Sequence, residues 1–541
     1  MEHVQRSPDH GVDQIQHTDH EGQSEMDAQS EPAAIERFSS VVGDSAMPGL
    51  EDANHMSRAS SGPPYSAFTP GMKTWITVMV AIGSFISPVT ANIYFPALNS
   101  IAEDLKVSTG LVNLTLTTYM IFQGLSPTFF GDFGDKAGRR PAYILAFTIY
   151  LFANIGLALQ RNYTALMVLR CVQSAGSSGT IALGYALVAD IASTAERGRY
   201  IGFIGVGINI GPTLGPFLGG LLSQYLGWPS LFWFLAIFVA AWLIPWIFTI
   251  PETCRNVVGN GSIPAQSWNF PWIIYIQRSK TGTQEYAQTQ KLRFPNPLRT
   301  LVVVFEKEMG LILVINSILY IGFILPTATL GTLFKEIYGY NDLHIGLCYL
   351  PFGFGSCVSV VGQGYILDWN YRRIAKKMGF VISRRRGDDL SKFPIETARI
   401  QPMYPALAVG VGSLIAYGWT LQVEASVAAP LVLLFLIGML IPSSFNVLST
   451  LIVDLYPQSP ATATAANNLV RCLVGAAATA VIEFIIRGVG RGWTFTILGL
   501  LIVVCVPGLL LLQRRGPMWR QEKREKVQRQ ESQTQAREEK K

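Results

Sequence analysis

The sequence predicts an all-α membrane protein with twelve transmembrane helices arranged in two six-helix halves. Three observations support this fold class: a low content of charged residues, a series of long apolar segments, and an internal repeat. The chain has 541 residues, of which 49% are hydrophobic and only 14% are charged. Soluble proteins carry about 25% charged residues, so composition alone favours a membrane protein.

Apolar segments long enough to cross a bilayer recur along the chain. A membrane helix needs roughly 20 apolar residues. We place the twelve spans at residues 74–97, 110–131, 141–160, 163–190, 200–223, 229–250, 309–331, 343–367, 402–421, 428–453, 461–486 and 493–513. The resulting domains are a polar tail predicted to be disordered (1–70), an amino-terminal half (71–250), a central loop (251–308), a carboxy-terminal half (309–513) containing a basic loop (368–401), and a basic tail (514–541).

Lysine and arginine are distributed unevenly between alternate loops. Of the 42 such residues, 35 lie in the loops and tails on the side of the amino terminus, five lie on the opposite side and two lie within spans. The positive-inside rule therefore places both termini in the cytoplasm. The basic loop and tail are expected to face anionic lipid, not nucleic acid.

The segment that follows the second span recurs after the eighth. Residues 131–140 read GDFGDKAGRR and residues 364–373 read GYILDWNYRR, so a glycine, an aspartate and an arginine pair coincide at an offset of 233. Two further matches, Asp190 with Asp454 and Gly227-Trp228 with Gly492-Trp493, have offsets of 264 and 265 because the second half contains an insertion at 374–401. Such repeats are common in secondary transporters, whose substrate site lies between the halves.

The loop at 131–140 combines flexible and charged residues. Glycines allow a tight turn, and Asp135 can pair with the nearby arginines or with a helix N-terminus. The candidate residues of this loop are Gly131, Asp135, Lys136, Gly138, Arg139 and Arg140.

Two of the charged residues within predicted spans, Arg170 and Glu483, are candidates for a role in proton coupling. A charge at membrane depth costs at least about 2.5–3.5 kcal/mol and normally faces a cavity or a partner. Arg170 in the fourth span either does so or extends toward the nearby surface. Glu483 in the eleventh span either exchanges protons or pairs with Arg487, one helical turn later.

The fifth span has an unusual pattern of glycine and proline. Glycines at every fourth position from 207 to 219 would lie on one helix face, so another helix can approach closely. Pro212 and Pro216 each remove a backbone hydrogen bond and bend the span. The motif residues are Gly202, Gly211, Gly215, Pro216, Gly219 and Gly220.

These motifs resemble those of the major facilitator superfamily. The loop at 131–140 matches its G-x-x-x-D-[RK]-x-G-[RK]-[RK] signature, and the fifth span matches its antiporter signature, G-x(8)-G-x(3)-G-P-x(2)-G-G. The stretch around Arg170 resembles a second family motif, with Ser174 in place of the usual glycine. The segments at 93–98, 251–253 and 467–471 are similar to fungal twelve-span drug:proton antiporters, nearest to the quinidine-resistance-like branch.

The resemblance implies roles for several residues. The loop at 131–140 would act as a conformational latch, Arg170 would take part in proton coupling, and the fifth span would form a gate between the halves. Polar groups at membrane depth form hydrogen bonds between helices or contact substrate, and both readings stay open for each cavity candidate. These candidates are Asn92, Tyr119, Gln123, Asn209, Asn316, Tyr320, Gln363, Asn467, Asn468 and Arg471.

The expected function is proton-coupled export of small organic molecules by alternating access. The alternatives are an importer or facilitator of sugars, amines or siderophores on the same fold, and a proton-independent channel or receptor. No Gly-Lys dipeptide occurs, which excludes a P-loop, and we expect neither an enzyme nor a metal or cofactor site. We expect a monomer in the plasma membrane, with the vacuolar membrane as the alternative, and Asn162 as a possible glycosylation site.

Overall fold

A computed structural model of the chain describes residues 65–192, 194–263, 265–266, 269, 271, 304–379, 393–456 and 460–538. Regular structure in these residues is α-helical. Residues 1–64 of the predicted tail (1–70), most of the predicted central loop, and residues 380–392 of the basic loop lie outside the described residues. Following the positive-inside prediction, we call the end of the helix bundle where the first helix begins the inner end, and the opposite end the outer end.

In the part of the chain that the structure describes, the first half contains six long helices and two short ones. They are α1 (Pro70–Asn92), α2 (Leu98–Asp104), α3 (Thr109–Ala137), α4 (Arg139–Leu159), α5 (Tyr163–Ile191), α6 (Thr194–Leu226), α7 (Pro229–Thr249) and α8 (Arg255–Val258).

The second half repeats this arrangement with small differences. Its helices are α9 (Lys307–Tyr338), α10 (Asp342–Cys348), α11 (Leu350–Met378), α12 (Ile395–Ile400), α13 (Met403–Gln422), α14 (Ala428–Leu455), α15 (Pro460–Val489), α16 (Arg491–Val504) and α17 (Val506–Glu538). The final predicted span corresponds to α16 and the start of α17, and α17 continues through the predicted basic tail as far as Glu538.

Local sequence accounts for several helix boundaries. The Thr69 and Ser108 side chains accept hydrogen bonds from Met72 and Leu111, which caps α1 and α3. α9 ends at Gly339, whose φ of +65° a residue with a side chain rarely adopts. Gly138 separates α3 from α4 with a φ of +115°, so the chain turns there within a single residue.

Among the described residues, ten helical segments are long and apolar enough to cross a membrane. Two more, α3 and α5, have 29 residues each but contain more polar side chains. The arrangement is therefore consistent with the predicted twelve spans, and it makes the chain a multi-pass membrane protein.

The helices pack in the same pattern in both halves. In the first half α3 packs on α5, α1 on α6, and α4 on both α5 and α7. In the second half α11 packs on α14, α9 on α15, and α13 on both α14 and α16. The halves meet mainly through α3 with α15 and through α6 with α10 and α11. This repeated packing agrees with the two homologous halves predicted from the repeat.

Candidate functional site

Several contacts hold the two halves together at the outer end. The buried Asp342 carboxylate on α10 accepts hydrogen bonds from Ser100 Oγ on α2, at 2.6 Å, and from Ser223 Oγ on α6. Asn99 Nδ2 donates to the Gly331 carbonyl on α9 at 3.1 Å. These bonds join elements of different halves, so the outer end is closed.

Glu483 contributes a second closing contact at the outer end. Its carboxylate on α15 accepts from Thr109 Oγ1 at 2.7 Å and from Asn113 Nδ2 at 3.4 Å, both on α3. It also pairs with Arg487 at 2.5 Å. The predicted pairing of Glu483 with Arg487 is therefore present. The same carboxylate also joins α15 of the second half to α3 of the first half.

Toward the inner end fewer described contacts join the halves. Between described residues, every hydrogen bond that joins the halves lies near the middle of the helices or toward the outer end; the innermost link Asn209 with Cys357 and Gln123 with Asn468. A Cβ added at Gly202 of α6 would meet no described atom from another element within 4 Å, whereas a Cβ at Gly220, near the outer end of α6, would lie 2.4 Å from the Asp342 carbonyl oxygen. The conformation is closed outside and open inside.

Arg170 lies in the centre of the first half and is fully buried. Its guanidinium carbon is 4.2 Å from the ring centroid of Tyr94 and 4.3 Å from that of Tyr119, so the cation is held between two aromatic faces. Arg170 Nη1 donates to Gln173 Oε1 at 2.5 Å, and Gln173 in turn donates to Asn154. The side chain therefore faces inward and does not extend to the surface.

Arg471 of α15 has a similar environment in the second half. Its guanidinium carbon lies 4.8 Å from the ring centroid of Tyr320, and Nη2 donates to Asn468 Oδ1 at 2.9 Å. Asn468 Nδ2 donates to the Gln123 carbonyl of α3 at 3.0 Å, which links this cluster to the first half.

The remaining cavity candidates form two groups. Asn316 and Asn467 bond to each other at 2.6 Å between α9 and α15. Asn92 and Asn209 donate to carbonyls of their own helices, at 2.7 Å in both cases. Gln363 is half-buried on α11. The structure therefore places the predicted arginines beside the predicted tyrosines, with Asn468 bonded to Arg471. The side chains of Asn92 and Asn209 instead form hydrogen bonds within their own helices.

The loop at 131–140 forms a charged cluster at the inner end. Arg139 pairs with Asp135 at 2.6 Å and with Asp190, at the end of α5, at 2.9 Å. Lys136 pairs with Asp132, and a Cβ added at Gly131 would meet no described atom from another element within 4 Å. All of these residues belong to the first half.

Sequence reasoning missed the role of Glu252 in this cluster. Its buried carboxylate accepts from the backbone N–H groups of Arg139, at 2.8 Å, and Arg140, at 3.2 Å, at the first turn of α4. Asn269 Nδ2 donates to the same carboxylate at 2.9 Å. A Cβ at Gly138 would lie 2.3 Å from a Glu252 oxygen, so glycine leaves room for it. The Pro-Glu-Thr segment at 251–253 was the available signal.

The second half contains a counterpart of the Arg139–Asp190 pair, but at a different residue from the one predicted by the repeat. The offset of 233 aligned Arg372 with Arg139, and Arg372 forms only an exposed pair with Asp368 at 3.8 Å. Arg399 of α12 pairs with Asp454 at 2.9 Å through the same atoms as Arg139 and Asp190. In the first half, Arg139 both occupies the loop motif and pairs with the aspartate that ends α5. In the second half, which has an insertion after α11, Arg372 occupies the motif position and Arg399 forms the ion pair.

The glycine face of α6 packs within its own half. A Cβ at Gly211 would lie 2.5 Å from Pro88 of α1, and one at Gly219 would lie 2.1 Å from the carbonyl oxygen of Ile93, the residue that follows α1. The close approach expected from the spacing is therefore made to α1 by the face that carries Gly211 and Gly219, and the gate between the halves stays a prediction. Of the six motif residues, Gly220 and Pro216 reach α10 in the other half.

Asn162 is exposed at the start of α5. Its Oδ1 accepts from the Thr164 N–H at 2.8 Å and caps the helix.

Comparisons with known proteins agree with this architecture. The family model described as Major Facilitator Superfamily matches residues 80–479. The chain is 42% identical to the MFS-type transporter phiD of a fungal species (strain ATCC 74256), over 86% of this chain and 71% of that protein. It is 35% identical to Citrate exporter 1 of Aspergillus niger, over 86% of this chain and 90% of that protein.

A solved structure of a D-xylose–proton symporter has the same fold. It superimposes with a TM-score of 0.58 at 14% sequence identity, covering 81% of this chain and 96% of the symporter. The match to the family model, the two repeated halves and the central arginine clusters lead to one conclusion: this chain is a membrane transporter that belongs to the major facilitator superfamily.

Proposed function

We propose that the protein is a proton-coupled antiporter that exports small organic molecules across the plasma membrane, with both termini in the cytoplasm. The observation that carries this proposal is an interior containing Arg170 and Arg471 that is closed at the outer end and open at the inner end. Such a state is suited to loading from the cytoplasm. The antiporter motif on α6 and the name of the citrate exporter relative support export. Proposed membership of the drug:proton antiporters rests on the same motif.

Glu483 is the proposed site at which protons act on the outer gate. As a carboxylate it accepts bonds from Thr109 and Asn113 across the halves. Protonation would remove its charge and weaken these bonds as well as the pair with Arg487. Protons arriving from outside would thereby open the outer end. Arg170 keeps its proton, so its proposed part in coupling is to act through its charge.

The loop at 131–140 is the proposed latch for the opposite state. The pairs Arg139–Asp135 and Arg139–Asp190 lie within one half, so they move together and do not distinguish the two states. In the opposite state, the antiparallel register set by the contacts of Gly110 with Glu483 and of Gly124 with Cys472 would extend to the inner end. In that register Asp135 meets the first turn of α15, where free N–H groups favour a carboxylate.

Transport into inverted membrane vesicles tests the proposed function. The probes are a panel of labelled organic acids, amines and neutral molecules, with an imposed acidic lumen as the driving force. We expect at least one probe to accumulate, a protonophore to abolish the accumulation, and Glu483→Gln to remove its dependence on the pH gradient. Flux that ignores the gradient would instead indicate a channel, and accumulation in the opposite direction an importer.

A further inference from the structure

The two arginines in the middle of the bundle have no acidic partner. Within the described residues neither Arg170 nor Arg471 forms an ion pair, although eleven such pairs are present elsewhere. Within the predicted spans the sequence places Glu483 toward the outer end, where it is already bonded to Arg487. The centre of the molecule therefore carries positive charge that no described side chain neutralises.

Both guanidinium groups also have unused hydrogen-bond donors. The Nε and Nη2 atoms of Arg170 are buried without an acceptor, although the side chain is fully enclosed. Arg471 Nε is likewise buried without an acceptor. A buried charge without a partner is costly, and charged groups inside membrane proteins normally face a partner or a pathway. A ligand that brings oxygen acceptors and negative charge would supply what both groups lack.

The two clusters lie next to each other across the interface between the halves. Met120 follows Tyr119, which stacks on Arg170, and its side chain would lie 2.7 Å from a Cβ at Gly475 of α15. The ring of Tyr320, which lies under Arg471, would lie 2.9 Å from the same Cβ. One bound molecule can therefore interact with both arginines when the halves move.

We propose, resting on the transport function proposed above, that Arg170 and Arg471 form the substrate site and that the substrates are organic anions. An acidic group of the substrate binds the guanidinium donors in the bidentate manner that suits carboxylates. The apolar body of the substrate lies against the tyrosine rings and Phe445. Organic cations are disfavoured because no carboxylate at the centre would balance their charge.

Two dyes built on the same xanthene ring test this assignment. Carboxyfluorescein is anionic and rhodamine 123 is cationic, and citrate serves as a small competing polyanion. Binding of each dye to the purified protein is measured by fluorescence anisotropy, which does not depend on transport. We expect carboxyfluorescein to bind, citrate to displace it, and rhodamine 123 to bind at least tenfold more weakly.

Substitutions of Arg471 distinguish a loss of the positive charge from a loss of folding as the cause of weaker binding. Arg471→Gln is expected to weaken carboxyfluorescein binding at least tenfold, since charge-assisted hydrogen bonds are lost, whereas Arg471→Lys retains the charge and loses less. Lys377→Gln, exposed at the end of α11, removes the same charge and should leave binding unchanged. Size-exclusion profiles confirm that each variant is folded.

The outcomes distinguish this inference from the proposed function. Binding of rhodamine 123 in preference to carboxyfluorescein, equal binding by Arg471→Gln, or failure of both anions to bind would each overturn the anion site. If amines or neutral probes nevertheless accumulate in vesicles with the pH gradient, proton-coupled export stands without it. If anions bind but nothing accumulates, the site stands and the export function fails.

Discussion

Glu252 and Asp135 occupy very different environments in the charged cluster at the inner end. Glu252 is buried and accepts backbone N–H groups at the start of α4, where the helix dipole favours a negative charge. The Asp135 side chain is 53% exposed. We therefore expect Glu252 to stabilise the first half, whereas the exposed Asp135 carboxylate is accessible for a contact with the second half.

Glu252→Gln should lower the free energy of unfolding by about 1–3 kcal/mol, because an amide nitrogen replaces an acceptor that several N–H groups share. Asp135→Asn should lower it by less than about 1 kcal/mol but abolish transport without affecting membrane insertion. Thermal unfolding in detergent measures the first effect and vesicle transport the second. Near-normal transport by Asp135→Asn would contradict the latch.

Cys254 reports on the same cluster. Burial raises the pKa of its thiol to about 11, and the side chain is only 1% exposed. Because the thiolate is the reactive form, and the thiol stays protonated below that pKa, Cys254 should be alkylated slowly by iodoacetamide at about pH 8. Mass spectrometry of the Cys254 peptide should show rapid labelling only after denaturation or in Glu252→Gln. Rapid labelling of the folded native protein would show that the cluster is open.

At the scale of single helices, α6 has two glycine surfaces with different partners. The face that includes Gly211 and Gly219 packs on α1 in the same half, while Gly220 meets α10 in the other half. The glycine spacing predicted a close helix contact, but spacing defines only a face. The identity of the neighbour depends on how the six helices pack, which no local pattern encodes.

Gly220→Ala should destabilise the outer-closed state, since the added Cβ would lie 2.4 Å from the Asp342 carbonyl oxygen. Gly202→Ala is the matched control, because no atom lies within 4 Å of its Cβ. Labelling of a cysteine placed at Ser100 by an impermeant maleimide from outside measures the opening. We expect faster labelling in Gly220→Ala and no change in Gly202→Ala; equal rates in both would show that this contact does not hold the gate.

The short helix α12 and the pair Arg399–Asp454 show what an insertion hides from sequence comparison. Repeat alignment selected Arg372, since it preserves the local spacing of the motif. The Arg399–Asp454 contact joins residues 55 positions apart, so it could be found only from the fold.

Arg399→Gln is expected to lower the free energy of unfolding by about 1–3 kcal/mol, because the mostly buried Asp454 loses a charged partner. Arg372→Gln, whose pair with Asp368 is exposed, should change it by less than about 1 kcal/mol. Denaturation of the two purified variants side by side measures the difference. A larger loss of stability in Arg372→Gln would instead indicate that Arg372, as the repeat alignment predicts, is the counterpart of Arg139.

At the scale of the whole molecule, the fold was predictable and much of the site was not. Apolar length and the distribution of Lys and Arg are properties of the chain itself, so the helical membrane fold followed from them. The same reasoning located Arg170, Arg471 and Glu483 because charges at membrane depth are rare. Their partners, Tyr94 and Thr109, come from distant segments, and Glu252 acts on an amide 113 residues away. Such contacts arise only when the helices assemble.

Alternating access requires the two ends of the molecule to move in opposite directions. In the present conformation α6 and α10 touch at the outer end, whereas Gly202 has open space at the inner end. We propose that the halves rotate about the central contacts near Gln123 and Asn468. Protons that reach Glu483 from outside would favour the state that is open at the outer end and closed at the inner end.

Spin-label distances at both ends, measured by double electron–electron resonance in liposomes, test this central claim most directly. Labels on the exposed residues Tyr225 and Leu347 report the outer end, and labels on Arg199 and Lys377 report the inner end, in a background with the six cysteines replaced. At neutral pH we expect a short outer and a long inner distance. Acidification should produce a population with the outer distance lengthened and the inner distance shortened by the same fraction of molecules. Distances that do not respond to pH, or that lengthen at both ends together, would contradict proton-coupled alternating access.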